Sequence, residues 1–345
     1  MRLPILLLTI LCNLSALPQS KSYPKLEVLT SGTNTSLRGL SVVNNQVVWV
    51  SGSNGTIGRS NDAGKSWKWF RVKGFEKTDF RDIEAFDVTT ALIMGVGEPA
   101  VILRTIDGGE TWKLVFENRE KGMFLDAMEF WNTDAGIVIG DPLNKKFFVA
   151  RTFNGGNTWS TIPEQNRPVA DSGEACFAAS GTNVRALDND EAVFVSGGLT
   201  SHVYIRNSRI EVPVISGKET TGGNSIAVWD RYHKNGGKKL VVVGGDFNSD
   251  TSSLLNCSYS TNRGKTWSKP KVPPHGYRSC VEYLAKKILV CCGLSGVDYT
   301  LDNAANWKLI SKESFHVCRI AKSGSAVFLA GTNGKVGRLV YPEKR

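Results

Sequence analysis

An eight-residue box ending in tryptophan recurs along this chain and restricts the fold more than any other feature. It reads SNDAGKSW at 60–67, TIDGGETW at 105–112, TFNGGNTW at 152–159 and STNRGKTW at 260–267, with a worn copy, TLDNAANW, at 300–307. Trp67, Trp112 and Trp159 stand 45 and 47 residues apart, Trp267 follows 108 later, and Trp307 comes 40 after that. The long gap leaves room for two periods. Periods of this size, filled with short β-prone runs, suit propeller blades of four strands. The box falls between the third and fourth strands of its period. There Asp or Asn accepts hydrogen bonds from its own turn, and glycine takes a positive φ at little steric cost. Ser or Thr satisfies a second turn group and the indole packs on the blade. Asp62, Asp107, Asn154, Asn262 and Asp302 are therefore read as structural.

The strands can be traced period by period. The second gives FRDIEAFD, TALIMGVG, AVILRTID and TWKLVFE, short runs broken by turn residues. One period lacks the box and is read as EACFAAS, EAVFVSGG, HVYIRN and RIEVPV. The last, FHVCRIAK, AVFLAGT and KVGRLV, stops after three strands, and KLEVLTS near the N-terminus is free to complete it. The expectation is an all-β, seven-bladed β-propeller of four-stranded antiparallel blades over residues 25–341. An N-terminal strand closes the last blade, which removes exposed sheet edges.

The boxes resemble the Asp-box (BNR) repeat of sialidases and many secreted propellers. With FRDIEAF on an inner strand followed by TIDGGETW, the whole chain resembles the photosystem II stability and assembly-factor propellers and their exported bacterial relatives. That resemblance implies a binding or assembly module that recognises another protein or a maturing complex. It implies no photosystem role outside a photosynthetic organism.

Residues 1–20, MRLPILLLTILCNLSALPQS, read as a secretory signal: Arg2, a short apolar run and small residues before a cleavage zone. The expected location is secreted or periplasmic, with no transmembrane segment, since the apolar run is too short to span a bilayer. Beyond Cys12 six cysteines remain, an even number that allows one or two disulfides in an oxidising compartment or simple buried thiols. No paired ligand spacing marks a metal site, no phosphate-binding loop is present, and no cofactor is expected. The net charge of +10 and pI near 9.2 suit an acidic partner, a glycan or a protein. Lys and Arg are dispersed and no nucleic-acid motif occurs.

A propeller's usual ligand site is the channel mouth where the innermost strands begin. Aligning those strands brings Arg38, Arg81, Asn224, Arg278 and His316 to similar places, with Asp82 and Asp126 one step deeper and Glu174 nearby from the fourth blade. Three arginines at one mouth would grip a carboxylate or sulfate, because the guanidinium fork binds it bidentately. Two functions compete there. One is a binding or assembly module for a protein partner or acidic ligand; the other is a glycan-cleaving enzyme, a sialidase-like hydrolase or a lyase. The chain departs from the sialidase pattern: SLRGLS stands nearest to the Phe/Tyr-Arg-Ile-Pro element, seven blades are counted instead of six, and no catalytic residue can be nominated.

Overall fold

A computed structural model describes residues 22–31 and 33–342; the leader reading of residues 1–20 falls outside them. Seven antiparallel blades surround a central channel. Blade 1 is Leu37–Val42, Val48–Gly52, Thr56–Ser60 and Lys68–Arg71; blade 2 runs Phe80–Ala85, Ala91–Gly95, Ala100–Thr105 and Lys113–Asn118. Blades 3 and 6 repeat the pattern from Leu125 and Cys280. In blade 5 the outer edge shrinks to a single pair, Tyr259 with Ser268. Blade 7 has three strands, Val317–Ile320, Val327–Ala330 and Lys335–Val340, and Lys25–Ser31 adds the fourth by pairing with the last. The N-terminal closure is thus present. No helix among the described residues is long and apolar enough to cross a membrane.

The boxes act as staples. In the first, Asp62 accepts the Ser66 N–H (2.9 Å) and hydroxyl, while the Ser60 hydroxyl donates to Asp62 and accepts the Gly64 N–H (2.9 Å). Gly64, Gly109, Gly156 and Gly264 all have positive φ, and in the worn copy Ala304 takes the same conformation at φ 69°. Each indole wedges into the seam with the preceding blade. Trp112 joins the core of blades 1 and 2, Trp159 that of 2 and 3, Trp267 that of 4 and 5, and Trp307 that of 5 and 6. Trp67 packs at the seam of blades 7 and 1. Burying such a ring contributes about 2–3 kcal/mol.

One strand differs from the sequence reading. EACFAAS is not the inner strand of blade 4: only Glu174–Ala175 pairs there, and the inner strand is Val184–Ala186. Residues 176–183 between them leave the sheet and cross the channel. Ala179 O accepts from Arg38 of blade 1 (3.4 Å) and Gly181 O from Arg319 of blade 7 (2.9 Å). The Ser180 hydroxyl donates to Ser279 O of blade 6 (2.7 Å), and Thr182 bonds Ser225 of blade 5 (2.6 Å). Gly181, at φ +62°, lies against the Asp82 carboxylate of blade 2 so closely that a Cβ would overlap it. The small polar run Ser180-Gly181-Thr182-Asn183 is a turn signal inside an apparent strand. This plug divides the channel into an upper mouth, where the inner strands begin, and a lower one.

Candidate functional site

A bulge in the inner strands of six of the seven blades builds the upper mouth; blade 4 pairs without one. Pairing shifts by one residue between Leu37 and Gly39, Phe80 and Asp82, Leu125 and Ala127, and Gly223 and Ser225. In blades 6 and 7 the Ser279 and His316 N–H groups reach Cys292 O and Ala330 O, the carbonyls of residues that pair with the next position. A bulge re-aims the extra side chain, so Arg38, Arg81, Asp126, Asn224, Ser279 and His316 form one ring.

That ring separates the residues singled out from sequence. Arg38, Arg81, Asn224 and His316 line a cavity of about 320 Å³ above the plug, together with Phe124, Phe177, Phe247 and Tyr277. Arg278 sits one residue before the ring position. It is fully buried and binds Asp298 through Nε (2.7 Å) and Nη2, away from the cavity. Asp82 is sealed beneath the plug, accepting the N–H groups of Ile83 and Met128 (both 2.8 Å). Glu174 is held by Ser196, His202 (3.0 Å) and Tyr204 (2.9 Å) on blade 4. Tyr277 was not among the sequence candidates; its hydroxyl donates to Asn224 Oδ1 (2.7 Å), which fixes the amide.

Electrostatics follow from burial. The Arg38 pKa is lowered by burial and then by Arg81, so two like charges face one cavity. Arg81 binds Asp79 (2.7 Å) and lies over the Phe124 ring. Among the described residues Arg38 has only the Ala179 carbonyl as a hydrogen-bond partner. Burial, Arg38 and Arg81 push His316 down to about 3, so its ring is neutral and meets the Ser36 hydroxyl at 3.1 Å. Asp126 is fully buried, with both oxygens lacking an ordinary donor. Burial and the neighbouring Asp141 raise it well above the carboxylate range, while burial pushes Asp141 up to about 6. Asp126 is then the protonated member of the pair, and its hydroxyl donates to the Asp141 carboxylate.

The six cysteines are free and buried, so neither disulfide arrangement is formed. Cys280, Cys292 and Cys318 bring their sulfurs within 4.8 Å of one another in the closed core of blades 6, 7 and 1. Asp171, Glu174 and His202 form a second ligand-bearing group, engaged by Arg209. Asn256, part of a sequon, is buried and donates to Pro274 O and Gly276 O.

Residues 258–269 match the BNR/Asp-box repeat family. No curated protein matches the sequence. Among solved structures, YCF48 bound to D1 peptide superposes with a TM-score of 0.65 at 16% identity, over 92% of this chain and 96% of that one. YCF48 from Cyanidioschyzon merolae gives 0.66 at 15% identity, over 92% and 99%. The WD40 propeller domain of Doa1 gives 0.59 at 12% identity, over 94% and 98%. At these identities the likeness is one of fold, and the fold is a seven-bladed propeller stapled by Asp-boxes.

Proposed function

We propose that this protein is an exported binding module whose upper mouth receives an acidic segment of a partner protein. The observation that carries this reading is the charge left unspent there. Arg38 has no carboxylate partner, Arg81 has only half-exposed Asp79, and the plug gives the cavity a floor that a chain end can reach but not pass. Phe124, Phe177 and Phe247 add apolar walls for side chains flanking the acid. A pocket with aromatic walls and two guanidinium forks suits a carboxylate on a peptide. One structural relative was solved with a peptide bound, which agrees with a propeller used in this way.

Most glycan hydrolysis needs two carboxyl groups facing the substrate, and a sialidase with its tyrosine nucleophile still needs an acidic proton donor there. None of the residues lining this cavity is a carboxylate; Asp82 and Asp126 are covered. This favours binding over cleavage. The test is a fluorescence titration of labelled Asp/Glu-rich peptides with free C-termini, beside their amidated and neutral counterparts, at low and high salt. An Arg38→Gln/Arg81→Gln protein should bind at least about tenfold more weakly, with a flatter salt dependence. Equal binding of acidic and neutral peptides would overturn the reading. Cleavage of defined sialylated or uronic glycans, lost in the double variant, would replace it with the enzyme.

A further inference from the structure

Every blade that carries a box sends its indole into the seam with the preceding blade, and blade 7, which has no box, sends Tyr23 into its seam with blade 6, edge-on to Tyr299 at 6.0 Å. The seam of blades 3 and 4 is different. In blade 1, Arg59 pairs with Lys68, so the box 60–67 fills the third connection. In blade 4 the equivalent pair is Ile205 with Ser208, leaving only Arg206 and Asn207. Counting from these pairs, Asn207 stands where Trp67 stands in blade 1. Eight residues have become two, and the indole is gone.

The space it would fill is open. A groove of about 520 Å³ runs along this seam over Ile137, Ile139, Val149, Phe194 and Tyr204. Phe194 and Tyr204 stack at 4.5 Å, and Phe147 meets both edge-on. The floor is therefore rigid and apolar. Its rim carries Arg151, Arg167, Arg206 and Arg209 against Asp190 and Glu191. Arg206 pairs with Asp188 and Arg209 with Asp171. Arg151 lies over Trp131 at 4.7 Å and Arg167 over Phe148 at 5.1 Å. Among the described residues their hydrogen bonds go to the main-chain oxygens of Asp190 and Ile162, neither has a carboxylate partner, and the Arg151 Nε is buried without an acceptor.

We infer that this groove is a second binding site, distinct from the channel mouth, for a small aromatic carboxylate whose ring occupies the place of the missing indole. The volume falls within the range of small-molecule pockets, roughly 300–1,000 Å³. Ring burial supplies the apolar contact. The two guanidinium groups without carboxylate partners select an anion over a neutral or cationic ring.

The test is calorimetric titration of the whole protein with indole-3-acetate, beside uncharged indole. Indole-3-acetate should bind about tenfold or more tightly than indole. Arg167→Gln should erase that preference. Asn207→Trp, which returns an indole to the seam, should abolish binding of both, and Arg119→Gln, just past the outer strand of blade 2, should change nothing. Absence of binding, equal affinity for the two probes, or binding that survives both groove variants would each overturn the inference. Arg167 is a rim residue, so its variant stays informative if Asn207→Trp fails to fold.

Discussion

The two mouths of the channel are both rich in arginine, yet they use it differently. At the lower mouth, a cavity of about 460 Å³, almost every charge is answered. Arg231 binds Glu129 at 2.6 Å, Arg185 binds Glu282 at 2.9 Å, Arg319 approaches Glu282 at 3.7 Å, and Lys322 meets Glu84. Burial opposes the Arg185 charge, but Glu282 and Glu129 outweigh it and raise its pKa. At the upper mouth Arg38 has no carboxylate, and its pKa is lowered. The lower arginines hold the inner strands together; the upper ones are held by the strands. A count of arginines does not distinguish these states, whereas the partner of each one does.

That contrast can be broken experimentally. Arg185→Met should cost about 3–5 kcal/mol, because it takes a buried partner from two carboxylates and leaves Glu282 only the 3.7 Å approach of Arg319; urea unfolding showing a loss below about 1 kcal/mol would undo the distinction. Gly181→Ala should cost about 2–4 kcal/mol from left-handed backbone plus overlap with Asp82, and proteolysis within 176–183 should accelerate as the plug loosens. Asp141→Asn should stabilise the protein by about 1–2 kcal/mol at pH 8. The sign follows from a folded pKa raised to about 6: between the ordinary carboxylate value and 6 the native state holds more protons, so stability falls as pH rises. Melting curves of the two proteins should therefore converge near pH 4 and separate above 6. Arg38→Gln should change stability by less than about 1 kcal/mol, and upward, since burial and Arg81 both oppose that charge. A large destabilisation there would make Arg38 structural, like its counterparts below.

The blades were legible because their signals are local. Boxes, alternating strands and glycine turns each act within a few residues, and KLEVLTS was readable as a spare strand because the last period lacked one. The site was legible only in part. Arg38, Arg81, Asn224 and His316 share a bulge position, a one-residue feature that sequence alignment approximates. The same approximation put Arg278 at the mouth, although one residue's difference turns it onto Asp298. For the same reason alignment sets Asp126 a step too deep, whereas it occupies the ring itself. The plug is not legible in the sequence because Phe177, Ala178 and Ala179 look like strand residues. The partners that hold the plug, Arg38 for Ala179 O and Ser279 O for Ser180, lie on blades far along the chain, where no local pattern points.

The closure of blade 7 has a mechanical meaning. Lys25 pairs with Val340 and Ser31 with Lys335, so the two chain ends leave the clasp on the same side. A load drawing residues 22 and 342 apart would meet these pairs one after another and peel them like a zip, where opposed exits would have loaded them all at once in shear. A ring that heat must melt cooperatively is therefore expected to open at low force from its ends. Single-molecule stretching from those ends should show a small first event, the release of Lys25–Ser31, well before any blade unravels.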